Sequence, residues 1–434
     1  MRIKHLATQR AVIVGTKNIF PVDDGKKAVI HGFLLYLIDK LGAENVCYAV
    51  LGTPPQETQQ QLPCTVEWIQ PPRRLHQIWS IFTESILLRR RSIQEALFYS
   101  PETIKALESL VDNWKADLVL LDTVRIGQLL EQARPESTVR RLLYMDDLFY
   151  LRFRSMLNAS ADQPDTKLDP SGTFASNLPS FARALIRIDI VKRGLLKFEM
   201  NAIEHRELQS PSQFDKCLLI NPQEADVLKE RTAASNIYPI KPIMFSDPCA
   251  VERNFNGQPE FIFFGTLRNP AHLFSVCYFL EHCMPHVVRA IPNVKLKIIG
   301  GGANDALRNL AAKYEQEVEL LGYVENIDEA MQTACALLIP LRFGGGLRLK
   351  TLTAFYFGLP VITTDYGING LCLQEDAGFI RENDVSNFPT HMQQLLDCNY
   401  NAALSDRASA SFKQHYSKEA IYAEYDELFD LTES

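Results

Sequence analysis

Two cations, Arg348 and Lys350, follow directly on three consecutive glycines, Gly344, Gly345 and Gly346. Residues of these types at this spacing suit the binding of a phosphate-like anion. Glycines let the backbone take positive φ and let a ligand approach the bare main chain, and free N–H groups at a helix start face a phosphate. Arg348 can grip such a group with its planar fork, and Lys350 adds a point charge. A solvated turn would show the same local pattern, so the elements around it must decide.

Those elements form a strand–helix–strand unit. Ala336-Leu337-Leu338-Ile339 is a short apolar run of buried-strand type that empties into the glycines, and a helical pattern follows the cations. Phe357-Gly358-Leu359-Pro360 ends that helix and hands over to Val361-Ile362-Thr363-Thr364. Upstream, Ala11–Gly15 predicts a first strand, the loop 16–27 leads to a helical pattern over Val29–Leu41, and Asn45–Gly52, Asp117–Asp122, Arg141–Asp147 and Lys216–Asn221 predict further strands. This is the start of a doubly wound α/β domain, in which Asp122, Asp146 and Asp147 fall at the carboxyl edge of a parallel sheet, where such folds bind ligands. The pair Asp146-Asp147 could serve as a base or as a clamp on an acceptor; a helix N-cap before Leu148–Leu151 accounts for one of them equally well. His205 reads as a helix-surface residue.

Several ordered segments carry a family resemblance. Pro340–Leu371 resembles the C-terminal half of GT-B glycosyltransferases, and within them the large retaining group called family 4, whose members carry a proline, a glycine-rich loop, an Arg-x-Lys pair, a glutamate and a helix ending Gly-x-Pro-Val. Glu260–Gly265 and the loop Thr266–Pro270 are similar to that family's first C-domain strand and the turn after it, Ile291–Gly302 to its second strand and glycine turn, and Val318–Val324 to the strand and turn lying against the nucleotide base. The likeness is firm over about residues 258–430.

The resemblance implies two Rossmann-like domains facing a central cleft, with 1–238 as the acceptor-side domain, 239–417 as the nucleotide-sugar domain and 418–434 as a C-terminal helix packing back on the first. It implies transfer of a sugar from a nucleotide sugar to a saccharide or lipid-linked acceptor with retention, in bacterial surface-polysaccharide or glycolipid assembly, with no metal. Arg348 and Lys350, with Arg268 third, would then stabilise the departing diphosphate. Gly25, Gly265, Tyr323, Val324, Gly345, Gly346 and Thr353 would contact the donor, and Asp24 and Lys26 the acceptor side. Asp146-Asp147 stands where the family often places a polar pair facing the cleft. Two positions depart from the pattern: Thr353 replaces the glutamate that grips the ribose, and Asn369 the acid of Gly-x-Glu-Gly. They keep two alternatives open, a degenerate subunit that binds without turnover and a nucleotide-sugar epimerase on the same fold.

The chain's 434 residues exceed what a single growing core accommodates, so two domains are expected. Apolar residues make up 46% and charged ones 22%, an ordinary globular composition. A net charge of −7 argues against nucleic acid as a partner, so any anion site must be local. Nine cysteines without a Cys-x-x-Cys spacing suit a reducing cytosol. The N-terminus lacks a signal-peptide pattern and no run reaches the roughly 18 apolar residues of a membrane span, so a cytoplasmic location is expected. Two basic stretches, Pro71–Arg91 and Phe181–Phe198, mix arginines and lysines with large apolar residues and could lie on anionic lipid. From 158 to 180 turn-forming residues accumulate, and the periodicity fails from Leu148 on, which predicts a long loop. The prolines of Ile237–Gly257 predict a linker, and Lys418–Leu431 an amphipathic helix.

Overall fold

The five residues Ala11-Val12-Ile13-Val14-Gly15 are buried throughout, as a central parallel strand covered on both faces must be. The computed structural model describes residues 9–20, 22, 25–54, 62–131, 138–162, 189–243, 253–343, 349–371 and 373–431. They fall into two compact units, one from the described residues of Met1–Leu157, Thr173–Met244 and Tyr422–Ser434, the other chiefly from those of Phe245–Ile421.

The first unit runs β1 (Ala11–Gly15), α1 (Gly25–Leu41), β2 (Val46–Leu51), β3 (Thr65–Ile69), α2 (Arg74–Ser80), α3 (Ile93–Ala96), α4 (Pro101–Trp114), β4 (Leu118–Asp122), α5 (Val124–Gly127), β5 (Arg140–Asp146) and α6 (Phe149–Asp162). The long helix Asp189–Gln213, then β6 (Lys216–Leu219), a helix at Pro222–Thr232 and β7 (Ile237–Pro239) follow. The strands form one parallel sheet in the order β3-β2-β1-β4-β5-β6-β7. Ala11 pairs with Val46 on one side and with Leu118 on the other, so the strand order reverses between β1 and β4. That reversal is where a doubly wound sheet opens a crevice at its carboxyl edge.

Two expectations need correction here. The chain after Leu148 was predicted as loop, yet Phe149–Asp162 is helical. Its N–H groups are met from afar: Glu207 accepts from Phe149 N (2.6 Å) and Tyr150 N (3.3 Å), and Glu224 from Leu148 N (2.5 Å). A cap supplied by another helix leaves no local sequence signal; the remainder of the predicted loop, 163–180, lies outside the described residues. Ile237–Pro239, predicted as linker, instead pairs with β6 through Cys217 and Ile237. A proline is tolerated there because β7 is an edge strand.

The second unit contains β8 (Glu260–Phe264), β9 (Lys295–Ile299), β10 (Val318–Gly322), β11 (Ala336–Ile339), β12 (Val361–Thr363) and β13 (Phe379–Arg381). Their order, β10-β9-β8-β11-β12-β13, is again parallel and again reverses, between β8 and β11. Phe261, Phe279, Leu296, Leu338 and Phe388 are fully buried in its core.

The last helix, Lys418–Leu428, stops three residues before the sequence pattern ended. Tyr422, Tyr425 and Phe429 join Phe33 and Tyr36 of α1 in an aromatic cluster with centroids 5.0–6.1 Å apart. Tyr36 Oη donates to Asp426 (2.8 Å) and Tyr422 Oη to Asp39 (2.7 Å). Arg140 and Lys216 donate to the carbonyls of Phe429 (2.6 Å) and Leu428 (2.9 Å), placing cations on the negative end of the helix.

Candidate functional site

Both sheets bring their chemistry-bearing residues to the reversal in strand order. In the second unit the loop after β8 and the helix Leu349–Tyr356 after β11 flank it. Backbone bonds carry the strand register past the strand ends: Gly265 N to Ile299 O (2.9 Å), Leu267 N to Gly301 O (2.9 Å) and Gly300 N to Gly322 O (2.7 Å). Gly300 has φ 148°, and a Cβ there would collide with the carbonyl of Gly265. The loops therefore interlock backbone on backbone, which only glycine allows.

On this floor lies Lys350. A Cβ on Gly265, at φ 143°, would strike the Lys350 ammonium group, so the lysine crosses the bare glycine. Its Nζ also stands 5.3 Å from the centroid of Phe263. A Cβ on Gly302 would strike the stem of Arg268, which places that arginine against the glycine turn. The structure thus brings Lys350, distant in sequence, onto the loop that carries Gly265 and Arg268, beside the glycine turn of Gly300 and Gly302. His272, which the sequence did not single out, is buried beside them, and its Nδ1 lies 2.9 Å from Thr266 O. A lone histidine two residues into a helix carried no signal.

Around this core the other named residues are placed differently. Gly345, Gly346 and Arg348 lie outside the described residues. The chain entering that loop is held by rings: Arg342 sits 4.1 Å from the Tyr278 centroid and Phe343 packs 5.5 Å from Phe274. Tyr323 is 77% exposed beyond β10, near Gly301, and Val324 packs on the core of the second unit. Thr353 is buried, and its hydroxyl donates to Leu349 O one turn back at 3.0 Å. Asn369 Oδ1 is buried without a hydrogen-bond partner among the described residues.

In the first unit Lys26, in the first turn of α1 after Gly25, reaches Asp122 at the end of β4, with Nζ 3.2 Å from Oδ1. Burial raises the Asp122 carboxyl, against the pull of Lys26 and with a further push from Asp146. Asp146 has φ 66°, a strained value for aspartate that turns the chain at the strand end, and its Oδ1 accepts from Tyr144 Oη at 3.0 Å. Asp147 is buried and ion-paired with Arg152. Arg125 stacks 4.5 Å over Phe149, and burial, then the neighbouring Arg152, lower its pKa. Asp24 lies outside the described residues. His205 is exposed, 2.9 Å from Gln209. A carboxylate-lysine pair bordered by a second aspartate can take up or hold a proton from a hydroxyl group. Strand-end position alone flagged Asp122; its pairing with Lys26 required the sheet order.

Residues 258–398 match the family described as glycosyl transferases group 1. An uncharacterized 44.6 kDa protein in the cps region of Klebsiella pneumoniae is 24% identical over 248 residues, 54% of this chain. The match spans 61% of that protein's length, about three fifths. Among solved structures, sucrose-phosphate synthase from Thermosynechococcus elongatus is similar with a TM-score of 0.65 at 13% identity, covering 97% of this chain and 98% of that one. HepE from Anabaena, in complex with UDP, is similar with a TM-score of 0.62 at 11% identity, covering 98% of this chain and 100% of that one. These likenesses show a GT-B-like α/β fold.

Proposed function

We propose that the protein is a retaining glycosyltransferase that takes its sugar from a nucleoside diphosphate donor, a reading supported by the match of residues 258–398 to the glycosyl transferases group 1 family and by the GT-B-like fold. The observation that carries this is Lys350 crossing Gly265 at the strand-order reversal, with Arg268 against the adjoining glycine turn. When the anomeric carbon parts from the donor, the bonding pair goes to a diphosphate oxygen. The Lys350 ammonium lying over Gly265 stabilises that developing charge. The acceptor oxygen bonds to the anomeric carbon, and its proton passes to the departing diphosphate.

In this reading the second unit holds the donor, with Tyr323, Val324, Arg348 and Thr353 as further contacts. The first unit holds the acceptor, with Asp24, Lys26, Asp146 and Asp147. UDP in the HepE complex supports a uridine donor, and the cps-region relative supports a role in capsule or related surface-polysaccharide assembly. The cations make a metal unnecessary: activity should persist in excess EDTA, as measured by nucleoside diphosphate release.

A second reading has support of its own. Thr353 spends its hydroxyl on its own helix where a ribose-binding acid is expected, which favours a subunit that binds a nucleotide sugar without turnover. Incubation with UDP-, GDP- and ADP-sugars decides between them. Diphosphate release that Lys350→Ala slows about a hundredfold supports transfer. A thermal shift without release supports the binder, and a new sugar epimer overturns both.

A further inference from the structure

Helix α2 continues into a π-helical turn, Ile81–Leu87, and this segment is amphipathic the wrong way round. Its inward side is polar: Ser85 Oγ donates to Ser92 O (3.1 Å), Gln77 Nε2 to Leu97 O (3.2 Å), and Ser80 is buried. Every exposed position from 73 to 90 is an arginine or a large apolar residue. Leu75 is 82% exposed, Trp79 64%, Phe82 52% and Leu87 66%, with Ile78, Ile86 and Leu88 beside them. Arg73 and Arg74 stand at one end, and Arg89 and Arg90 at the other. A helix face of this kind left to water is costly unless something covers it.

The segment is firmly seated. Arg91 turns inward to Glu84 (3.6 Å), Glu131 (3.5 Å) and the Tyr99 ring (4.0 Å), while Arg89, at φ 50°, ends the helix and directs the chain into Arg90. Trp79 and Phe82 lie 6.2 Å apart on the outer side.

We propose that the exposed face of residues 73–90 docks the protein on an anionic lipid surface, with the apolar side chains entering the acyl boundary and the four arginines at its ends meeting headgroup phosphates. Charge selects this occupant. The chain carries a net charge of −7, yet this face presents cations and no acid. Apolar residues bracketed by arginines match a bilayer interface, where long basic side chains keep their heads at the phosphates while their stems lie on hydrocarbon. No helix among the described residues is long and apolar enough to cross a membrane, so this face would lie on the surface. The first part of the other basic stretch, residues 181–188, lies outside the described residues. The docking does not depend on the sugar chemistry.

The test is flotation of the full chain with vesicles of phosphatidylcholine alone or mixed with phosphatidylglycerol. Binding to the anionic vesicles is expected, weakening with salt. Trp79→Ser with Phe82→Ser should cut it at least about tenfold, and Arg89→Gln with Arg90→Gln about fivefold per cation, each with an unchanged melting temperature. Brominated lipid should quench tryptophan emission in the wild type and less in Trp79→Phe. Absence of binding to anionic vesicles, or binding indifferent to the Trp79/Phe82 pair, overturns the proposal. So does self-association that the same pair abolishes, which would make this a protein interface.

Discussion

Gly265 and Gly300 sit on the same floor, yet their substitution should fail in different ways. A methyl group on Gly265 meets the mobile end of Lys350, whereas one on Gly300 meets the Gly265 carbonyl. Gly265→Ala should therefore displace the lysine and weaken nucleoside diphosphate binding about tenfold, a loss of one charge-assisted contact. Both positions share the strain of a side chain at positive φ, and at Gly300 the clash with a carbonyl adds to it, so Gly300→Ala should destabilise the second unit the more, by about 1–3 kcal/mol in denaturant unfolding. A second residue-scale outcome concerns Glu199, which accepts from Ile93 N (2.7 Å) and Gln94 N (3.2 Å) at the start of α3. Burial pushes its carboxyl up to about 7 from 4.5. A carboxyl raised on folding contributes most below its unfolded value, and that contribution is lost as pH rises through the folded one. The stability advantage of wild type over Glu199→Gln should shrink between about pH 5 and pH 8; a gap that does not change with pH would contradict this. Residue spacing singled out Lys350 in the sequence, and the family resemblance singled out Arg268. The buried His272, the Lys26–Asp122 pair and the direction of the Thr353 hydroxyl were not, because each is fixed by partners outside its local segment.

Elements with their own hydrophobic pattern were readable, and elements completed by distant groups were not. β1 and β11 are apolar throughout, β4 is apolar up to Asp122, and all three are buried on both faces. α6 escaped notice because Glu207 and Glu224 cap it, and β7 because its proline is acceptable only at a sheet edge. β3, with Glu67 exposed and Trp68 half-buried, lacks the continuous apolar run of its neighbours. The last helix was visible as a pattern, but its anchoring on Phe33 and Tyr36 was not. Tyr425 is fully buried, and its Oη donates to Lys241 O at 2.5 Å. Tyr425→Ala should cost about 3–5 kcal/mol, read by denaturant unfolding of the full chain, and a loss under about 1 kcal/mol would show that this helix is not integral to the first unit.

At the scale of the whole molecule, two parallel sheets each reverse their strand order, and each gathers a lysine and its companions at that reversal. Length and alternating strand and helix patterns predicted this plan, while strand order, which locates both sites, came only with the pairing. The second of those sites is the one we propose binds the diphosphate. Calorimetric titration of wild type and Lys350→Ala with UDP, GDP and ADP in excess EDTA tests it most directly. At least one diphosphate should bind the wild type, with its dissociation constant raised about ten- to a hundredfold in the variant. Equal affinity in the two proteins, or no binding of any of the three, would contradict it.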